Sequence, residues 1–544
     1  MAQQYVVEHL NHLGIVAQVC REIGVAQWLD QQDPTNRQQV SVGTATVALV
    51  LNGLGFSNRQ LYLVPQFFAD KPIEYLLGSG ITADDLNDDC LGRTLDWLYA
   101  QDVTRLFAGI ALRARRAFGV TTTRRHADTT SFSVHGQYAQ QDPQEPSVIA
   151  VTYGYSRDHR EDLKQWMLAI ITSGDGVPLF LRPLDGNASD KQSLVEAVTT
   201  FTHHLQASDA EEGVYIADSG IYSAANMRTL NAAGVAWVSR VPETLAAAQQ
   251  MGREEPPTWQ TNTQGTRQWW CRQQDTERWI AVRTPQGCAR ARTTMQRLAA
   301  RDDEKWSKRM WHLGHQDFAC AADADHALAI ARQSCPAWIV VQATVAGVAK
   351  HAHRGRPRKD SAPVKQVWQI QATVTLNPDA VEAEALRRAT FIIGTNLLDA
   401  TVWSDEAVLD LYREQTVVEK GFAFLKDPLF LASSVFVKKP QRIMAIAFLM
   451  TLCLLIYKLA EYRIRQQLAA TQQSVPDQVR KPTQRPTMRW LFQCFEGIDL
   501  HHTHLPDGSR LTQILRLTDV HRLILRLLGP AYEYCYLVFD QSAE

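Results

Sequence analysis

The sequence predicts an α/β protein of several domains, and three observations carry that prediction. At 544 residues the chain exceeds what one hydrophobic core usually serves, so two to four domains are expected. With 45% hydrophobic and 21% charged residues, the composition is globular rather than disordered. The apolar periodicity also changes along the chain, from helical to strand-like near residue 124, with helical spacing again from about residue 404.

The first ~120 residues read as helical, with apolar positions at helical spacing in GIVAQVCREIGVAQWL and VGTATVALVLNGL, separated by QQDPTNRQQ. ITADDLNDDCLGRTLDWLYAQ suggests two short helices with a polar turn, leading into a basic helix that ends near Phe118. A helix-turn-helix-like DNA module is one reading of that stretch, and a plain helical hairpin is the other. HADTTSFSV, VIAVTYGYS and WMLAIITSGDGVPLFLRPL are strand-like. In the last of these, Ser173 to Gly176 breaks two apolar runs as a hairpin turn would. A helix from Asp190 to Gln206 follows, then strand VYIAD, helix IYSAANMRTLNAAG and strand VAWVSRV, which implies a parallel pair with a right-handed crossover. A three-strand meander, a helix, then strand–helix–strand is the order of an RNase H-like domain.

Residues 243–390 are rich in Trp, Gln and Arg, with short strand-like pieces around one helical stretch, and read as a β-rich insertion. FIIGTN (391–396) returns the chain to the core. A long helix is predicted from about Ser404 to Lys426, and the remainder is mostly helical, interrupted by QSVPDQVRKPTQRPT. The expected layout is a helical N-terminal domain (1–122), an RNase H-like core (123–242 and 391–435), a β-rich insertion (243–390) and a helical C-terminal region (436–544).

Composition narrows the functional classes. Nine cysteines are spread without a CxxC pair, which points to reduced thiols and away from structural zinc; His501, His502 and His504 have no cysteines nearby to complete a site. MAQQYVVEHLNHLG lacks the charged start and apolar core of a signal peptide, so a cytoplasmic location is expected. The longest apolar run, Ile443 to Tyr457, falls short of the ~20 residues that span a bilayer and reads as a buried helix. Net charge is −1, yet Thr104 to Arg125 holds six Arg and no acids, and Lys438 to Arg489 holds ten basic residues against Glu461 and Asp477. Such stretches suit phosphate contacts, or are ordinary solvated helix faces. Arg354 and Arg356, in HAHRGRPRKD, belong to a basic segment of the kind that enters an A·T-rich minor groove, or to a solvated loop.

Three acids stand where separate elements aim carboxylates: Asp128 in RRHADTTSF, Asp218 in VYIADSG and Glu419 in YREQTVVEKGFAFLK. Oxygen ligands gathered from distant segments suit hard divalent ions, and two such ions support phosphoryl transfer on nucleic acid. Taking ~100° per residue on a helix, Tyr412 and Lys426 each fall about 20° from the line of Glu419, and Gln415 about 40°. A salt-bridged surface stripe is the plainer reading, but Val417, Val418, Phe424 and Leu425 mark the helix as largely buried. Asp158, Asp162 and Asp175 are nearby acids; Asp175 reads as a turn residue, and Asp158 with His159 as turn-capping or a support to the site.

Tyr412, Glu419 and Lys426 at this spacing resemble the tyrosine–arginine–glutamate–lysine signature of DDE transposases of the bacterial insertion-sequence-four superfamily, with Gln415 where the family has arginine. HADTTSF resembles its first-aspartate strand. YIADSGIYSAANM resembles the second-aspartate motif, with Ser219 where arginine is usual. GYSRDHREDLKQ, LNHLGIVAQVC and LNGLGFSNRQLYLVPQFF are similar to segments of one branch, so the resemblance spans residues 1 to about 465. It implies a Mg²⁺-dependent DNA transposase that uses two ions, with Mn²⁺ able to substitute. Asp128, Asp218 and Glu419 would be catalytic metal ligands, Asp128 bridging the ions. Tyr412, Gln415 and Lys426 would contact DNA, as would Arg354 and Arg356 on the minor-groove reading. The partners would be double-stranded DNA, as terminal inverted repeats and target, and a second copy of the chain; no membrane is implied. The insertion would handle a flipped base through one of Trp269, Trp270, Trp279, Trp338 or Trp368. A catalytically silent DNA-binding derivative and a two-metal structure-specific nuclease are the alternatives.

Overall fold

The structure is a computed structural model that describes residues 4–33, 38–56, 61–136, 138, 147–156, 160–206, 212–256, 258–274, 276–351, 364–427, 439–504 and 510–538; the side chains of 61, 190, 205–206, 416–420 and 510 lie outside that description. The chain divides into two compact units, Met1–Ser239 with Leu409–Glu544, and Arg240–Val408.

The first unit opens with strand β1 (Gln4–His9), followed by helices that include α1 (Asp88–Ala100) and α2 (Val103–Phe118). Asn87 and Asp102 start these two helices by accepting from Cys90 N and Thr104 N. Strands β2 (Arg124–Val134), β3 (Lys164–Ser173) and β4 (Pro178–Leu184) form an antiparallel meander. The β3–β4 turn falls at the predicted SGDG, where Gly176 N donates to Ser173 O and Gly176 takes φ +81°. Helix α3 (Asp190–Gln206) leads to β5 (Val214–Ala217), which runs parallel to β2; helix α4 (Ala224–Ala232) leads to β6 (Ala236–Arg240), parallel to β5. Across this mixed sheet the order is β4-β3-β2-β5-β6.

The second unit contains short strands β7 (Gln260–Thr261), β8 (Gln268–Gln273) and β9 (Arg278–Arg283), then helices α5 (Pro285–Gly314) and α6 (Ala321–Gln333). A twelve-pair antiparallel hairpin of β10 (Ile339–Lys350) and β11 (Lys365–Leu376) follows, then α7 (Pro378–Ala389) and β12 (Phe391–Thr395). It is less β-rich than the sequence suggested. Helix α5 is 30 residues long and mostly polar; it buries only Met295, Ala299, Trp306 and Met310, so its apolar periodicity is faint.

Two differences affect the site. The predicted helix 404–426 is two helices, α8 (Asp405–Arg413) and α9 (Thr416–Leu425). At the junction Glu414 N and Gln415 N donate to Leu411 O and Tyr412 O, a tighter i→i−3 pattern, just before the β-branched Thr416-Val417-Val418. The terminal regions are also not purely helical. After α10 (Pro440–Thr471), short strands β13 (Val475–Pro476) and β14 (Pro482–Thr483), and α11 (Met488–Cys494), strand β15 (Asp499–His504) pairs with both β1 and β16 (Arg510–Leu515).

Helix α10 is the centre of the first unit's core, packing against both N-terminal helices and β4. Its 32 residues are long and apolar enough to cross a membrane by length and composition, but 94% of its most apolar window is buried inside the unit. Its buried charges are satisfied locally: Lys458 Nζ and Arg465 Nη2 lie 2.8 and 2.9 Å from the Glu461 carboxylate.

Candidate active site

Asp128 lies mid-strand on β2, and its Oδ1 accepts from Thr129 N at 2.7 Å. Asp218 directly follows β5; its Oδ1 accepts from Gly220 N at 2.7 Å, and its carbonyl accepts from Ser239 Oγ at 2.8 Å. The parallel register pairs Arg124 with Val214 and His126 with Ile216. Asp128 and Asp218 each lie two residues beyond the last of these pairs, and alternation along β2 puts Asp128 on the same face as His126.

The register also identifies that face. Asp128 stands opposite Ile170 of β3, which stands opposite Leu181 of β4. Ile170 and Leu181 belong to the same buried cluster as Phe422 and Leu425 of α9. On the other face, the Tyr215 hydroxyl hydrogen-bonds Thr202 of α3. Thus α9, which carries Glu419, covers the face that carries Asp128.

Two contacts fix how α9 lies along β2. Arg124 Nη1 donates to Glu414 Oε1 at 2.5 Å, and Lys426 Nζ sits 6.0 Å above the Phe132 ring centroid. Asp128 is midway between Arg124 and Phe132 on the strand; Glu419 is five residues past Glu414 and seven before Lys426. Further ties hold the helix: Phe424 packs on Tyr457 at 4.6 Å between centroids, and Asp427 accepts from Arg489 at 2.7 Å.

The other expected contacts separate. Tyr412 is half-buried on α8, and Gln415 sits at the junction, so Tyr412 and Glu419 lie on successive helices rather than on one. Lys426 closes α9. Arg354, Arg356, Asp158, His159 and the Glu419 side chain lie outside the described residues. Asp162 is paired at the surface with Arg160, whose guanidinium holds its carboxyl below the usual range. His502 bonds Glu8 and Thr512, joining β1 to β15 and β15 to β16.

His126 was given no role by sequence reasoning. It shares the Asp128 face and is fully buried, and burial, aided by Arg124, pushes it down to about 4, so it is neutral. Its place two residues before Asp128 in an alternating strand was the available signal. Trp269 and Trp279 are buried, whereas Trp311, outside the five considered, is 59% exposed and lies against His315 at 4.1 Å between centroids.

Among the described residues no three His, Cys, Asp or Glu side chains converge as a metal site. Asp128 on β2, Asp218 just past β5 and Glu419 on α9 are oxygen donors, the chemistry that Mg²⁺ and Mn²⁺ prefer.

Residues 122–456 match the family described as transposase DDE domain. The chain belongs to that family. Residues 5–112 of this DDE transposase match a domain of unknown function, DUF4277. No curated protein matches the transposase. Among solved structures it is similar to a piggyBac transposase synaptic complex with hairpin DNA, determined by cryo-electron microscopy. That match has 8% identity over 91% of this chain and 82% of the other and a TM-score of 0.38, too slight a likeness to argue from.

Proposed function

We propose that the chain is an insertion-sequence transposase of the insertion-sequence-four superfamily that cuts the ends of its element and joins the 3′-hydroxyls to target DNA. In this reading β2–β6 form an RNase H-like core within the four-part layout expected from sequence. Asp128, Asp218 and Glu419 would hold the divalent metal. The observation that carries the reading is the bracketing of Asp128 and Glu419 by Arg124–Glu414 and Phe132–Lys426, with Asp218 just past β5, the strand parallel to β2.

Divalent ions such as Mg²⁺ or Mn²⁺, if held there, would lower the pKa of a bound water and offset charge on the phosphate. The sheet's part is to keep Asp128 and Asp218 at fixed spacing; that of α9 is to bring Glu419 over them. Neutral His126, beneath the site, adds no positive charge to compete for the carboxylates. Lys426 and Tyr412 contact the DNA backbone near the scissile bond, while Gln415 offers hydrogen bonding without charge. The protein works inside the cell as a homodimer that holds two element ends together.

The test is cleavage and joining of the element's own ends with Mg²⁺. Wild type yields joined product, while Asp128→Ala, Asp218→Ala and Glu419→Ala retain DNA binding and yield neither cut nor joined DNA. Normal cleavage by all three variants would refute the assignment, and cutting without joining would favour a nuclease.

A further inference from the structure

The basic stretch ending at Arg489 is largely neutralised by folding. Arg442 pairs with Asp96, Lys458 and Arg465 with Glu461, Arg463 with Glu22 and Arg489 with Asp427. Among the described residues of this stretch, Lys439, Arg480, Lys481 and Arg485 make no ion pair within 4 Å of a carboxylate, and the last three are exposed together on the β13–β14 hairpin and the residues just after it.

This hairpin is held in shape. Asp477 Oδ1 accepts from Val479 N and Lys481 N, and Asp477 O accepts from Arg480 N, which places Arg480 at φ +63°. Trp490 Nε1 donates to Pro476 O at one end, and the Arg465 guanidinium donates to Pro486 O at the other. A non-glycine residue in the left-handed region is strained, so the surrounding bonds must hold it there.

The residues just after the hairpin are tied to the end of α9: Arg489 Nη1 donates to Asp427 Oδ2 at 2.7 Å, one residue past Lys426. Arg485, Arg465 and Arg124 all act on Asp175 of the β3–β4 turn, partly offsetting the upward push of its burial, and the Arg124 side chain packs on Gly174 of that turn. Arg124 begins β2, four residues from Asp128. The three exposed cations thus stand on and beside a preformed turn whose C-terminal flank is tied to the end of the helix that carries Glu419.

We propose that Arg480, Lys481 and Arg485 form a phosphate-backbone grip for duplex DNA flanking the cleavage site. The proposal rests on the DNA-cleaving reading above but concerns binding alone, so it is tested without divalent metal on a duplex of arbitrary sequence.

The experiment is a salt titration of duplex binding by the full chain and by Arg480→Gln/Lys481→Gln/Arg485→Gln. Loss of three phosphate contacts should weaken binding at least tenfold at 0.1 M salt. It should also flatten the slope of log K against log salt by roughly 2.7. The charge-preserving Arg480→Lys/Arg485→Lys should bind like wild type, and all should unfold at similar temperatures. Unchanged affinity, or weaker binding with an unchanged slope, overturns the grip. If that happens while wild type still cleaves element ends, the hairpin proposal alone falls. If wild type binds the duplex with the expected slope but cleaves no end DNA, the cleavage reading fails and the grip stands.

Discussion

Arg124 and Glu414, 290 residues apart, meet at 2.5 Å where β2 begins and α8 hands over to α9. The contact sets the starting point of the helix that carries Glu419 against the strand that carries Asp128. It is partly solvent-exposed, at 53% and 32% for the two side chains, so its stability contribution is small, about 0.2–1 kcal/mol. Its effect on the site should be larger. Glu414→Gln should shift the unfolding midpoint by only a few degrees while lowering the cleavage rate at least tenfold, as measured by single-turnover assay and thermal denaturation on the same preparations. Equal proportional losses of stability and activity would mean that the pair does not position the helix.

Gly220→Ala separates carboxylate orientation from folding. A Cβ at that position would lie 2.7 Å from Asp218 Oδ1, the oxygen that now accepts from Gly220 N. The aspartate side chain is the group that yields, because it moves more easily than backbone. Cleavage should therefore fall at least tenfold with less than about 1 kcal/mol lost in a denaturant titration, since no buried apolar group is removed.

The fold was legible where local pattern and tertiary need coincide. The β-branched HADTTSFSV and the SGDG turn announce β2 and the β3–β4 hairpin, and the alternation in β2 was enough to put Asp128 on a single face. Other features depend on partners far along the chain. Nothing within Gln4–His9 reveals that it will pair with Asp499–His504. The bend at Glu414–Gln415 is anchored by Arg124, and the arginines of the C-terminal basic stretch find Asp96, Glu22 and Asp427, so charge counting overstated that surface. Helix α5 has too few buried apolar residues to show a helical period.

His12 should make stability pH-dependent. It is fully buried, its Nε2 donates to Leu54 O at 2.8 Å, and it stacks on Phe492 at 4.4 Å between centroids. Burial pushes it down from 6.5 to about 4. The unfolded chain binds this proton more readily, so the contribution is complete above about pH 6.5 and is lost as pH falls toward 4. Unfolding midpoints measured between pH 7 and pH 4 should drop, and His12→Gln, less stable at pH 7, should show a shallower drop across that window.

The central claim is that Asp128, Asp218 and Glu419 share divalent metal, and Mn²⁺ titration followed by electron paramagnetic resonance, with end DNA bound, tests it most directly. Wild type should take up two Mn²⁺ per chain; Asp128→Ala should lose both, and Asp218→Ala and Glu419→Ala one each. Two Mn²⁺ bound with unchanged affinity in all three variants would contradict the account.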